Sequence, residues 1–158
     1  MEIRLGERTG ETVKIYFQRA NTPEIRRTLP QKAKTLEEAL ADFRETRKPG
    51  ASSYGRTIWA DGAYVGDVWC YGISPLERPN GMLSYCIFEE GCRGQGAASR
   101  AVALFLPELV QRFGLKSVGA FTFADNLPSI GVLEKNGFCL MEAFEEDGIL
   151  SRYYEKTL

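Results

Sequence analysis

Apolar and polar residues change their spacing several times along the chain, and each change marks an element. Ile3 and Leu5 alternate with polar neighbours, which predicts a short strand, whereas Val13, Tyr16, Phe17 and Ala20 recur at helical intervals. Asn21-Thr22-Pro23 sets a capping hydroxyl before a first-turn proline and predicts a second short helix that ends before Pro30. Thr35 and Glu38 read as a capping box opening a third helix, with Leu36, Ala39, Leu40 and Phe43 as its apolar stripe and Arg47 to Gly50 as its close.

From Tyr54 the period shortens to that of strands. Asp61-Gly62 is the tight turn of a hairpin between Thr57 to Ala60 and Tyr64-Val65, and Ser74 to Gly81 is a turn-forming loop before a strand from Met82 to Phe88. The most regular helix follows. Its stripe is Ala98, Ala101, Val102, Phe105, Leu109 and Val110, with Pro107 as an interruption and Gly114 as its stop. Val118 to Ala124 predicts a further strand, Asn126 to Ser129 the start of a short helix, and Gly137 its end. Strands then follow from Phe138 and from Ile149 to Thr157 around the turn Glu146-Asp147-Gly148. Helices, a meander of strands, a strand-helix-strand crossover and a terminal hairpin define an α+β class with a mixed, mostly antiparallel sheet of six to seven strands.

Composition narrows the function without naming it. The chain has 158 residues, 44% of them apolar and 26% charged, as expected of a single globular domain over residues 1–158. No apolar run reaches the ~18 residues that a membrane helix needs, and Met1 to Gly6 lacks the basic-then-apolar order of a signal peptide, so the expectation is a cytoplasmic protein without membrane partners. A formal charge of -1 with both signs interspersed argues against nucleic acid as a partner. Four cysteines, Cys70, Cys86, Cys92 and Cys139, form no Cys-x-x-Cys pair and no histidine is present, so no metal is expected. The missing histidine also excludes a Ser-His-Asp triad and leaves a carboxylate, an amine, a thiolate or a held water as the general base.

Candidate chemistry concentrates between the strand ending at Phe88 and the following helix. Arg93-Gly94-Gln95-Gly96-Ala97-Ala98 is a small-residue turn whose useful groups are on its backbone. A helix start offers unpaired N–H groups and the positive end of a dipole, and glycines let an anion come close, so a pyrophosphate suits it. Arg93 and Arg100 add charge for phosphate oxygens. A tight turn packing a helix on a sheet is the alternative use of the same residues. Gly94-x-Gly96-x-x-Ser99 also approximates a dinucleotide fingerprint, but the region near Lys116 lacks the acidic residue that such a fold requires and Asp125 comes too late.

Arg93-x-x-Gly96-x-Ala98, followed by Asn126-x-x-Ser129 and by Leu133-Glu-Lys-Asn-Gly-Phe138, resembles the motif set of the GCN5-related N-acetyltransferases. The wording is most similar to the branch that includes ribosomal-protein N-terminal acetyltransferases. The resemblance implies helices on both faces of the sheet and a splayed parallel strand pair. It further implies transfer of an acetyl group from acetyl-CoA, as cosubstrate, to a primary amine by direct attack on the thioester. Ile87 and Phe88 would bond the pantetheine amides, Gly94, Gln95, Gly96, Ala97, Ala98 and Ser99 the pyrophosphate, and Asn126 and Ser129 the arm near the sulfur. Helix capping is an equally sound local reading of Asn126 and Ser129. The acceptor would be a small molecule or a peptide N-terminus, entering beside the early helices and the loops near Ser52-Ser53 and Pro75 to Asn80. A dimer through a sheet edge is compatible with the pattern.

Two expected proton handlers are missing. Where many family members carry a tyrosine acid this chain has Leu133, and Met82 to Phe88 holds no carboxylate. Ser129 is the candidate acid and Asp67 the candidate base, with Glu145, Glu146 and Asp147 as carboxylates of the terminal turn that reach in from the side. Each carboxylate also has a solvated surface role open to it. Trp59, Trp69, Tyr71, Tyr85 and Cys70 read as core or acceptor-pocket wall. Without the handlers, a coenzyme A-binding sensor or interaction module is the competing function.

Overall fold

The computed structural model describes residues 1–29, 32–74 and 78–158. Its elements in chain order are β1 (Ile3–Glu7), α1 (Gly10–Arg19), α2 (Pro23–Thr28), α3 (Leu36–Thr46), β2 (Tyr54–Ala60), β3 (Ala63–Ser74) and β4 (Asn80–Ile87). A 3-10 turn (Glu90–Cys92) leads to α4 (Ala97–Phe113), β5 (Ser117–Phe123), α5 (Leu127–Lys135), β6 (Cys139–Glu146) and β7 (Ile149–Thr157). The strands form one sheet in the order β1-β2-β3-β4-β5-β7-β6, and among the described residues only the β4–β5 pairing is parallel. The α+β class and the seven-stranded, mostly antiparallel sheet agree with the sequence reading. Pro30 and the Pro75 to Glu77 part of the predicted loop lie outside the described residues.

Local chemistry explains most boundaries. Asp61-Gly62 and Asp147-Gly148 all have positive φ, the conformation of a two-residue turn whose twist matches its strands, so β2 and β3, and β6 and β7, close as tight hairpins. Thr22 caps α2 by accepting the Ile25 N–H at 3.2 Å. Thr9 and Thr12 cap α1 reciprocally. At α3 the Thr35 hydroxyl accepts from the Glu38 N–H, but Glu38 reaches one residue further back than a capping box requires and accepts from the Lys34 N–H.

Helices cover both faces. Ala101, Val102, Phe105 and Leu109 of α4 and Ile130 and Leu133 of α5 join Ile58, Val68, Leu83 and Tyr154 in the main core. On the opposite face Tyr16 of α1 and Ile25 of α2 pack with Cys86, Phe88 and Trp69. The α4 stripe is shifted from the predicted one: Ala97 and Leu106 are buried, Val110 is exposed and Ala98 lines a cleft. Val110 lies at the edge of the stripe defined by Ala101, Phe105 and Leu109, and Ala98, in the first turn, meets the cleft instead of the sheet. Pro107 lies on the exposed side and α4 runs through it to Phe113, where water can take the carbonyl that a proline cannot serve. No helix among the described residues is long and apolar enough to cross a membrane.

Candidate active site

Parallel pairing between β4 and β5 lasts for three residue pairs, Asn80 with Ser117, Gly81 with Val118 and Met82 with Gly119, and then the strands part. The gap opens a cleft of about 700 Å³ with α2 on one side and the starts of α4 and α5 on the other. Tyr85, Ile87, Phe121, Ser129, Gly96 and Ala98 are among its walls. Two ion pairs brace the mouth from α2, Glu24 to Arg93 at 2.9 Å and Arg27 to Asp125 at 3.3 Å. Both involve exposed groups and add little stability, though they tie α2 to each bank of the cleft.

The end wall is the N-terminus of α4. Gly96 occupies the cap position in a left-handed conformation, no side chain caps the helix, and no acidic residue sits in its first turn. The leading N–H groups and the dipole thus remain available to an anion in the cleft. Gly94 and Gly96 both have positive φ, where a side chain would add strain and obstruct that approach. Gln95 bends away and donates to the Gly91 carbonyl at 2.6 Å, bracing the loop.

Arg93 has less freedom than the sequence implied. Its Nε donates to the Ile87 carbonyl at 3.1 Å while its other end pairs with Glu24. Arg100 points away and donates to the Met1 carbonyl at 2.6 Å. The expectation for Phe88 requires correction. Its N–H donates to Val65 of β3 at 2.9 Å and its ring packs beside Tyr16 and Tyr64 on the far face. Alternation along the strand then turns the backbone groups of Ile87 and Tyr85 toward the gap.

Asn126 caps α5, its Oδ1 accepting the Ser129 N–H at 3.3 Å, so the capping reading holds while both residues also line the cleft. The Ser129 hydroxyl lies 2.9 Å from the hydroxyl of Tyr85, a residue that sequence reasoning assigned to a wall. Burial pushes the Tyr85 phenol up to about 12. Asn136 has a bridging part that the sequence did not single out: its amide donates to Ser99 and to Val132, joining the end of α5 to the first turn of α4. The only hint was its presence within Leu133 to Phe138. Leu133 is fully buried in the core.

Ser129 and Asp67 are not brought into one pocket. Asp67 is buried on β3, with Oδ2 3.1 Å from Arg8 Nε and Oδ1 accepting from Tyr64 at 2.5 Å. Burial pushes its carboxyl above the usual range, and Arg8 and the Tyr64 hydrogen bond pull part of the way back. It borders a second cavity of about 840 Å³ between α1, α3 and β3, walled by Tyr16, Phe43, Trp69, Tyr71 and Ser53. Cys86, which lines the first cleft, is the cross-strand neighbour of Asp67, which does not line it. Burial pushes the Cys86 thiol up to about 11, which keeps it protonated and inert as a nucleophile. Glu145, Glu146 and Asp147 are exposed on the far hairpin and border neither cavity.

Comparison with known proteins bears on this arrangement. A family model described as "Acetyltransferase (GNAT) domain" matches residues 8–139. No curated protein sequence gives a significant match. Among solved structures the chain is similar to a RimL ribosomal L7/L12 alpha-N-protein acetyltransferase in complex with coenzyme A. That match has 18% identity and a TM-score of 0.83 and covers 99% of this chain and 94% of the other. A spermidine N-acetyltransferase from Vibrio cholerae in complex with CoA and spermine matches at 13% identity and a TM-score of 0.84, covering 98% and 95%. An aminoglycoside acetyltransferase in complex with coenzyme A matches at 15% identity and a TM-score of 0.76, covering 99% and 95%. At these identities the likeness is one of fold.

Proposed function

The chain belongs to the GNAT acetyltransferase family, and from that premise we propose that it moves an acetyl group from acetyl-CoA to a primary amine by direct attack on the thioester. The observation that carries the reading is the cleft between β4 and β5 that ends at the uncapped start of α4. Coenzyme A has the matching shape: a pyrophosphate for the helix N-terminus and an extended amide-bearing arm for the exposed strand edges. The solved relatives bound to coenzyme A support this assignment. Gly94 to Ser99 hold the pyrophosphate through backbone N–H groups. Ile87 and Tyr85 offer backbone groups to the pantetheine arm, and one N–H of that strand stabilises the oxyanion as the thioester carbon becomes tetrahedral.

Two protons must move. An alkyl ammonium has a pKa near ~10 and must lose one proton before it attacks. Asp67, with its carboxyl raised by burial, receives that proton across the Cys86 position through water. Ser129 serves the departing sulfur from the other bank. The acceptor is a small molecule or a peptide N-terminus that approaches from the face carrying α1 to α3. Its carrier group has the aromatic second cavity beside Asp67 available to it.

Fluorescence titration with acetyl-CoA and, separately, with NADH tests the ligand of the cleft. Saturable binding of acetyl-CoA alone is expected, and a preference for NADH would overturn the assignment. A pH series tests the base. Since the deprotonated carboxylate does the work, kcat/KM falls as pH drops through the raised Asp67 pKa. Asp67→Asn keeps similar hydrogen-bonding shape and should remove that limb, with a rate at least roughly 10-fold lower. An unchanged profile in the folded variant would remove Asp67 from the mechanism.

A further inference from the structure

Resting on the reading of the cleft as the place where the thioester is cleaved, we infer that Tyr85 is a positioning residue that sets the direction of the Ser129 proton. Tyr85 comes from β4 and Ser129 from the first turn of α5, 44 positions apart in sequence, and both line the cleft. The Tyr85 hydroxyl lies 2.9 Å from Ser129 Oγ and 3.1 Å from the Ser129 carbonyl oxygen. A phenol has one proton to give, so these two acceptors compete for it.

Each choice fixes what Ser129 can do. When Tyr85 donates to the carbonyl, the serine hydroxyl donates to the phenol oxygen and has nothing left for the cleft. When Tyr85 donates to Oγ, the serine proton is free to point at a sulfur in the cleft. The exchange needs only hydroxyl rotation, because both distances already suit a hydrogen bond and Asn126 holds the Ser129 backbone in place. A developing thiolate favours the second arrangement, and donation into Oγ strengthens the outgoing Ser129 hydrogen bond.

The step balances without further reagents. The amine nitrogen forms its bond to the thioester carbon, and the carbon–sulfur bond breaks with its electron pair going to sulfur. The Ser129 proton passes to the sulfur while the proton still on the attacking nitrogen passes to Ser129 Oγ. The products are the amide and the free thiol of coenzyme A, with Ser129 restored. Tyr85 keeps its proton throughout, as its high pKa requires, and so acts as a fixed donor and not as the acid.

A double-mutant cycle in the full chain tests this, using Tyr85→Phe, Ser129→Ala and the pair, with kcat, calorimetric acetyl-CoA affinity and thermal melting as readouts. The phenylalanine keeps the ring, so melting and affinity should stay close to the parent. The expected result is a loss of about 10-fold in kcat for Tyr85→Phe. Ser129→Ala should lose at least as much, and the double variant no more than Ser129→Ala alone. Equal slowing by Tyr85→Phe with and without the serine would mean a packing effect and would overturn the inference. Loss of activity in Ser129→Ala with full activity in Tyr85→Phe would overturn the positioning role while sparing the acid. A parent protein that does not bind acetyl-CoA would remove the reading of the cleft itself, and this inference with it.

Discussion

Ala98→Glu is expected to lower affinity for coenzyme A at least about 100-fold, about 2.7 kcal/mol, while leaving the melting temperature unchanged or slightly higher. The two effects have opposite signs because they come from the same electrostatics. Ala98 is the second residue of α4, a helix with no side-chain cap and no acid in its first turn. A glutamate there complements the helix dipole, worth roughly 0.3–1 kcal/mol to the folded state. The same carboxylate would stand where a pyrophosphate needs the N–H groups, and each charge-assisted bond lost costs about 1.5–3 kcal/mol. Ala98→Gln separates charge from bulk and should lose much less affinity. Calorimetric titration with coenzyme A beside a melting curve reads both quantities, and tight binding by Ala98→Glu would mean that the anion is held elsewhere.

The second large effect falls on a single methyl group. A Cβ at Gly66 would overlap the backbone carbonyl of Cys86 and come within 3.0 Å of the Ile87 Cα. Those atoms belong to the paired strand β4 and cannot swing aside as a flexible side chain would. Gly66→Ala must therefore force β3 and β4 apart near the point where Val65 accepts the Phe88 N–H. The cost is about 2–3 kcal/mol, or a melting temperature lower by roughly 5–10 °C. Affinity for coenzyme A should fall about 10-fold as well, since Ile87 on the displaced strand lines the cleft. Gly10 meets nothing within 4 Å and has ordinary φ, so Gly10→Ala is the matched control and should cost nothing. Equal melting of the two variants would show that the β3–β4 contact is not rigid.

What the sequence made legible was local. The Asp61-Gly62 and Asp147-Gly148 turns, the Thr22 cap and the Gly114 stop are each decided by a few neighbouring residues, and each stands where their chemistry requires. The glycine-bearing turn before α4 was legible for the same reason. Contacts distant along the chain were not. Asp67 pairs with Arg8, 59 positions away, and nothing in Gly66-Asp67-Val68 announces a buried, doubly bonded carboxylate. Tyr85 read as a wall because its partner Ser129 lies on another element. The resemblance placed the pantetheine contacts at Ile87 and Phe88, and it carries no information on which residues of β4 give their backbone to β3 and which to the gap. The α4 stripe differs at its ends because Ala98, in the first turn, meets the cleft and Val110 lies at the edge of the stripe, and spacing alone decides neither.

Transfer, and not binding, distinguishes an acetyltransferase from a module that only holds coenzyme A. Leu133, buried where a tyrosine acid is common, is the residue that keeps an inert coenzyme A-binding module in contention. The decisive measurement is thiol release from acetyl-CoA in the presence of primary amines, run over polyamines, aminoglycosides and peptide N-termini, with the acetylated amine weighed by mass spectrometry. Expected is release that depends on the amine, matches the amide formed mole for mole, and falls about 100-fold in Ala98→Glu at subsaturating acetyl-CoA. Saturable acetyl-CoA binding with no amine-dependent release across the whole panel would contradict it.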